Sequence, residues 1–455
     1  MHATYRNYAR ASSRWSQSLR IGTLGVFLTL ATSAVAQDHD PSTEVLIATL
    51  EGRDAQAAIE AAAQLGDRPE EAEQVVPALI AALMWQADPF GSQPRSAVSQ
   101  EVAQAALAAL HKIGKPAIAQ LKTTLDQTES DELRVEVLLA LRGIPQPGPG
   151  AEAALVRAMR HANADTRYHA METLMSVAQR PSKYAIVLTR QLYDSDAENR
   201  NTAIRYLGEM GPAGQQAVPH MIEMLQDAPR RRQRSNYLAL CQALCEMGEA
   251  ARPAIAVLKE KMKDSDPRIQ TSAALTIARI DPSDLMPIAK LSSMARDVAD
   301  NKEGAYWAIR TLGEIGPEAK VAMPLLKELA ASWSIPIRTS AIRAVVQIDP
   351  DDALPLLIEL QDDRQHEIRE AVLRAMRTYS PNVPEVANAV VEALDQPFTQ
   401  IELIALENLR HWGPEAKHLA TEVRQRLEAE TNVHRRKALA EVLSKLEQIP
   451  PAELE

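Results

Sequence analysis

Arginine is the residue type whose placement in this chain most invites chemistry. Arg205, Arg310, Arg343 and Arg374 recur at related positions, and Arg230, Arg231, Arg232 and Arg234 crowd one turn just before Tyr237. A guanidinium presents a planar fork of N–H donors that matches carboxylate, phosphate or sulfate groups, so stacked arginines could form an anion grip. Each set also has an ordinary reading. Glu209 and Glu314 follow Arg205 and Arg310 by four residues, the spacing of a helical surface ion pair. Gln347 and Thr378 take that place after Arg343 and Arg374, leaving those two without a local acid. The arginine-rich turn reads either as a docking spot for an acidic protein or polysaccharide, or as a solvated turn partly neutralised by Asp227. Trp307 and Tyr306 add aromatic surface beside Arg310 unless they are core, whereas Trp412, where related segments place Ile or Met, reads as packed inside.

A catalytic centre is harder to assemble. Cys241 and Cys245 lie four apart in a helical pattern, so both face one way; a disulfide inside a regular turn would be strained and two thiols make an incomplete metal site. They read as small buried hydrophobes. His111, His161, His169, His220, His411, His418 and His434 are dispersed. No H-E-x-x-H, G-x-S-x-G or G-K-[ST] segment occurs, which removes the commonest zincin, hydrolase and P-loop signals. No catalytic, cofactor-binding or metal-ligating residue is assigned on this reading, and no cofactor is expected.

The elements that must position the arginines are internal repeats. The segment Ala308–Leu326 has a close relative in Ala203–Met221, and weaker copies of its Gly-Pro or Asp-Pro step appear at Gly66, Gly114, Ile144, Ala178, Gly248, Asp281, Asp349, Ser380 and Gly413. From Gly114 onward the intervals are 30, 34, 33, 37, 33, 35, 33, 31 and 33 residues, a period that means a solenoid. In each unit an amphipathic helix runs up to the step, Gly lets the chain turn, and Pro opens the next helix where its missing N–H costs nothing. A further proline one or two turns into that second helix (Pro77, Pro219, Pro253, Pro287, Pro324, Pro355, Pro384) is expected to bend it. Arg205, Arg310, Arg343 and Arg374 each precede a step by six residues, which places the last three in one stripe across consecutive repeats.

Steps, prolines and paired Asp and Arg residues at the turns (Asp165/Arg167, Asp196/Arg200, Asp266/Arg268) give residues 42–449 a pattern that resembles the HEAT and armadillo superfamily, most closely the short bacterial HEAT-like repeats also found in phycobilisome lyases. The resemblance implies an all-α fold, an α-solenoid wound as a right-handed superhelix of about twelve antiparallel helix pairs, on the order of 100 Å long. It also implies a ladder between repeats, and Arg167, Arg200, Arg338 and Arg369 stand eleven residues before their steps, as a ladder needs. HEAT-like iron hydroxylases carry repeated His-Glu pairs as metal ligands; here only His366-Glu367 has that dipeptide, ahead of the Ile368-Arg369 step, and one pair makes no multi-ligand site.

Two breaks interrupt the period. The interval from Gly66 to Gly114 is 48 residues, with an irregular loop at 85–98 whose Trp85 and Phe90 either contact a partner or fold back to cap the first repeat. The run Ile144–Gly150 reads as a stiff turn between repeats.

The N-terminus reads as an address. Arg6, Arg10, Arg14 and Arg20 precede an uncharged run from Ile21 to Ala36 that ends in a small-residue motif, so 1–36 is expected to be a secretory signal cleaved after Ala36, with an uncleaved anchor as the alternative. Residues 37–41 form a short linker and 450–455 a tail. Removing 1–36 takes the formal net charge of this 455-residue chain from −10 to −14, against which non-specific nucleic-acid binding is disfavoured. Only 4% of residues are aromatic, too few for thick globular cores but suited to thin layers of paired helices. No other segment reads as membrane-spanning. The expectation is therefore a periplasmic or secreted, non-catalytic scaffold that binds a protein or another extended ligand on its concave face, through Arg230, Arg231, Arg232, Arg234, Arg310, Arg343, Arg374, Trp85 and Phe90. The alternative is a lyase-like HEAT enzyme or accessory subunit whose polar residues converge in one pocket.

Overall fold

A computed structural model of the chain describes residues 41–86, 96–227, 234–396 and 400–449. The expected signal segment 1–36, nearly all of the linker, most of the 85–98 loop including Phe90, the tail 450–455, and Arg230, Arg231 and Arg232 lie outside the described residues.

The helices alternate along the chain. The first four pairs are α1–α2 (Thr43–Leu50, Ala55–Leu65), α3–α4 (Ala72–Ala82, Ala97–Ile113), α5–α6 (Ile118–Gln127, Asp131–Arg142) and α7–α8 (Pro149–Ala158, Ala164–Val177). Next come α9–α10 (Ala185–Gln191, Ala197–Glu209), α11–α12 (Val218–Asp227, Arg234–Met247), α13–α14 (Ile255–Lys261, Pro267–Ile280) and α15–α16 (Met286–Arg296, Lys302–Ile315). The last are α17–α18 (Met323–Leu329, Ile335–Ile348), α19–α20 (Pro350–Leu360, His366–Met376), α21–α22 (Pro384–Glu392, Gln400–Trp412) and α23–α24 (Ala420–Ala429, Val433–Glu447). Twelve helix pairs and no strand are thus present among the described residues. Arg234 opens α12.

From Gly114 onward, each step made by glycine is a left-handed turn. Gly114, Gly211, Gly248, Gly316 and Gly413 have φ of 70°, 56°, 58°, 85° and 53°, a region that a Cβ disfavours, so glycine ends the even helix and reverses the chain. A 3₁₀ segment follows, as at Gly211–Ala217, Pro317–Ala322 and Gly413–Leu419, before the odd helix begins. The late start of the odd helix, after a 3₁₀ segment or a turn, changes the role expected of the prolines, and Pro253 falls within the 3₁₀ segment Gly248–Ala254. Pro219, Pro287, Pro324 and Pro384 fall in the first turn of their α-helices, where no intrahelical hydrogen bond is lost; only Pro77 and Pro355 stand inside one.

Two layers result. The even helices pack closely on one another along the stack, whereas successive odd helices lie farther apart. Small residues permit the close approach. A Cβ placed on Gly208 would come within 2.7 Å of Ala243 Cα, one on Gly313 within 2.9 Å of Ala344 Cα, and one on Gly66 within 2.9 Å of Ala109 Cα. A stack whose layers differ in spacing bends toward the tighter one, so the even helices form the inner, concave layer. Its core is a sheet of Leu, Ile, Val, Ala and Met, as at Leu207, Leu244, Ile277, Leu312 and Val345, none of which meets solvent.

Polar bonds spaced by one repeat tie the layers together. Arg167 grips both carboxylate oxygens of Asp194 at 2.7 Å and also donates to the carbonyls of His161 and Ala162. Arg338 does the same to Asp363 (2.5 and 3.4 Å) and to the Ala330 carbonyl, while Arg200 and Arg369 hold the carbonyls of Asp194 and Asp363 themselves. The ladder thus exists, but its acids are Asp194 and Asp363. Asp196 and Asp266 instead cap α10 and α14, accepting from the N–H groups of Glu198, Asn199 and Arg268. Side chains also reach back to the preceding repeat's backbone: Thr173 to Leu138, Gln191 to Met159, Asn408 to Leu373, and the Trp412 indole to Tyr379. The odd layer carries ion pairs with at least one exposed partner, such as Lys320–Asp349, Lys327–Asp352 and Arg157–Asp126.

Two outcomes test this packing. Ala is normally favoured over Gly within a helix by about 1 kcal/mol, yet Gly208→Ala is expected to destabilise by about 1–3 kcal/mol in urea unfolding, because α12 must move away from α10. Burial opposes the charge of Asp194, but Arg167 and the Asp196 N–H more than offset it; at Asp363 the Arg338 guanidinium leads, and both carboxyl pKa values lie below the ordinary one. A lowered folded-state pKa contributes stability that is present above the ordinary carboxylate value of about 4 and lost as pH falls below it. Asp363→Asn is therefore expected to cost about 3 kcal/mol at pH 7 and to shallow the loss of stability in acid; an unchanged acid profile would assign that sensitivity to other carboxylates.

Candidate functional site

The four related arginines occupy equivalent solvent-facing positions on α10, α16, α18 and α20, and their surroundings separate them. Arg205 is saturated: it donates to Glu172 at 2.8 Å and Glu209 at 2.9 Å, and its guanidinium lies 4.0 Å from the centre of the Tyr206 ring. Burial works against its charge, yet Tyr206 and Glu209 hold its pKa above the ordinary value. Tyr206 donates to the same Glu172, and Arg142 approaches that carboxylate at 3.5 Å. Arg205 is thus a packing element. Arg310 meets Glu314 at 3.4 Å, as the i, i+4 spacing foretells. Arg374 pairs loosely with Glu370, one turn before it, at 3.8 Å. Arg343 is exposed and has no hydrogen-bond or ion-pair partner among the described residues.

Beside Arg310 the structure assembles a group that sequence spacing does not reveal. Trp307 of α16 has two guanidinium groups within cation–π reach, Arg268 from α14 at 5.0 Å and Arg310 at 5.2 Å from its ring centre. Tyr306 meets Trp307 edge to face with centroids 5.6 Å apart and contacts Arg310 at 5.8 Å. The indole N–H points to Glu303 Oε1 at 3.4 Å, and Arg268 approaches the same oxygen at 3.8 Å. One repeat farther, Trp333 in the turn before α18 is 76% exposed and carries Lys302 over its ring at 5.3 Å. Arg268 lies 39 positions from Trp307 in the chain, so only the stacking of repeats brings them together.

The other expected site residues divide. Trp85 is 7% exposed and donates its indole N–H to the Leu50 carbonyl at 3.2 Å, so it closes the first repeat from within and offers no surface to a partner. Arg234 lies in α12, and its side chain is outside the described residues, as are Arg230, Arg231, Arg232 and Phe90. His366 is exposed and Glu367 is its near neighbour at 3.3 Å; among the described residues no group of three or more His, Cys, Asp and Glu side chains could hold a metal. Cys241 and Cys245 pack within the stack, and burial pushes their thiols up to about 12 and about 11, the reverse of an activated nucleophile. A shallow cleft at the C-terminal ends of α20 and α22 is lined by Arg377, Ser380, His411 and Glu415, with Arg377 touching His411 Nδ1 at 3.2 Å. Among the described residues no helix is long and apolar enough to cross a membrane.

The sequence profile of HEAT repeats matches residues 152–241 and 288–377. None of the curated proteins matches the chain. Among solved structures it is similar to Kap121p bound to Pho4p, at 13% identity over 90% of this chain and 49% of that one, with a TM-score of 0.48. It is also similar to Kap95p in complex with RanGDP, at 14% identity over 90% of this chain and 55% of that one (TM-score 0.48), and to an engineered protein at 16% identity over 89% and 98% (TM-score 0.26). The chain spans about half the length of the Kap121p and Kap95p chains. Residues 152–241 and 288–377 thus match HEAT repeats, and they lie within an all-α solenoid of stacked helix pairs.

Proposed function

We propose that this chain is an exported, non-catalytic scaffold that binds an extended segment of a partner protein along its inner layer. One observation carries the reading: Arg310, Arg343 and Arg374 present guanidinium groups on consecutive inner helices, and Arg343 has no partner of its own among the described residues. A long preformed surface binds through many modest contacts and pays little ordering cost, which suits recognition of an extended chain. The cationic stripe stands out because the chain as a whole is acidic. Export rests on the arginine-flanked apolar run that ends at Ala36.

Chemical crosslinking and affinity purification from the native envelope tests the surface. The Arg343→Glu/Arg374→Glu variant is expected to lose the wild-type partner, whereas Arg230→Glu/Arg231→Glu/Arg232→Glu serves as a comparison at the arginine-rich turn. Retention of the partner by the first variant would place the binding surface elsewhere. In the same preparation, mass spectrometry is expected to find a chain that begins at Gln37; a chain retaining residues 1–36 would favour the anchor.

A further inference from the structure

Trp307 gives the stripe a chemical preference. A guanidinium stacked on an indole keeps its N–H edges free while the flat face is held, so less rotational freedom remains to be lost when an anion arrives. Here one indole orders two guanidiniums, Arg268 from the preceding repeat and Arg310 from its own. Glu303 and Glu314 face them at 3.8 and 3.4 Å, and Glu370 faces Arg374 at 3.8 Å, distances that leave room for a closer acceptor. Arg268, Lys302, Arg310, Arg343 and Arg374 outnumber these three acids, so the patch is cationic on an acidic molecule.

We propose that the Arg268–Trp307–Arg310 stack, continued by Arg343 and Arg374, is a carboxylate clamp for an extended acidic peptide segment that runs across α16, α18 and α20. The proposal rests on the scaffold reading and names the chemistry of its ligand. Two features select a peptide. Planar carboxylates match guanidinium forks, and the Trp307 ring, on which a sugar ring or a nucleobase would stack, already has Arg268 and Arg310 at 5.0 and 5.2 Å. The repeat also sets a ruler. Packed helices lie about 8–10 Å apart and an extended chain advances about 3.3 Å per residue, so an acid at every third position meets one arginine per repeat.

The test uses the purified full chain and a fluorescently labelled 15-residue peptide with Glu at every third position, followed by anisotropy at low salt. Comparison ligands are an isomer of equal composition with its glutamates in one block, a Gln-for-Glu peptide and a sulfated oligosaccharide. The spaced peptide is expected to bind more tightly than all three. Arg343→Gln is expected to weaken it about tenfold through loss of a charge-assisted pair, and Trp307→Leu, which changes no charge, about fivefold through loss of the stack. Both variants should keep the wild-type helical circular dichroism. Arg310→Gln provides the same reading should Trp307→Leu fail to fold.

Equal binding of spaced and blocked peptides, tighter binding of the sulfated oligosaccharide, or no effect of Trp307→Leu in a folded protein would each overturn the clamp. If the peptide fails while Arg343→Glu/Arg374→Glu still abolishes partner capture, the clamp falls and the scaffold reading stands. If both fail, the reading falls with it.

Discussion

A pair such as α15–α16 has an apolar side that nothing within the pair can cover, because Leu312, Ile309 and Ala308 need the facing side of α18 or α14 to be out of water. This unfinished face is the constraint from which the rest follows. Each repeat is completed by its neighbours, so the core is continuous along the stack although no part of it is thick. The interface is also where backbones come nearest, and glycine or alanine at positions such as Gly208, Ala243, Gly313 and Ala344 is the condition for that approach. The scarcity of aromatic side chains has the same origin: a layer this close has little room for a ring, and Trp412 is accommodated by turning its N–H to the Tyr379 carbonyl.

Much of this is legible in the chain itself. The steps recur at a near-constant period and divide the helices correctly, and at Gly114, Gly211, Gly248, Gly316 and Gly413 the glycine marks a place where φ is positive. Ladder arginines were visible because their distance to the step is constant, yet their acid partners were not. Asp194 and Asp196 are both turn residues, and which one bonds the preceding repeat depends on which carboxylate is already committed to capping α10. The prolines misled for a related reason. A 3₁₀ segment uses fewer residues per turn and shifts the start of the odd helix, so a residue that counts as interior from the step falls in the first turn.

The inner face shows how one residue type at equivalent positions takes different roles. Arg205, Arg310 and Arg343 differ little in local sequence, but Glu172 of the preceding repeat claims Arg205, and Trp307 with Glu314 holds Arg310. Four residues after Arg343 stands Gln347, which offers no carboxylate and whose side-chain oxygen lies over Gly313. The local acid four residues on could be read from the sequence. Partners contributed by the repeat before it could not, since register between neighbouring helices depends on packing that a single period does not specify.

The difference in spacing between the layers has a mechanical consequence. The closest contacts between inner helices are made by backbone and short side chains, which do not compress or stretch without losing close packing, whereas the outer helices are joined by long Lys and Arg side chains reaching Asp residues near the surface. Such links are weak and tolerate changes of length. The molecule therefore has a neutral line along its inner face and an extensible outer one, like a bimetallic strip with one stiff member. Bending opens or closes the outer gaps while the arginines on the inner face keep their mutual distances.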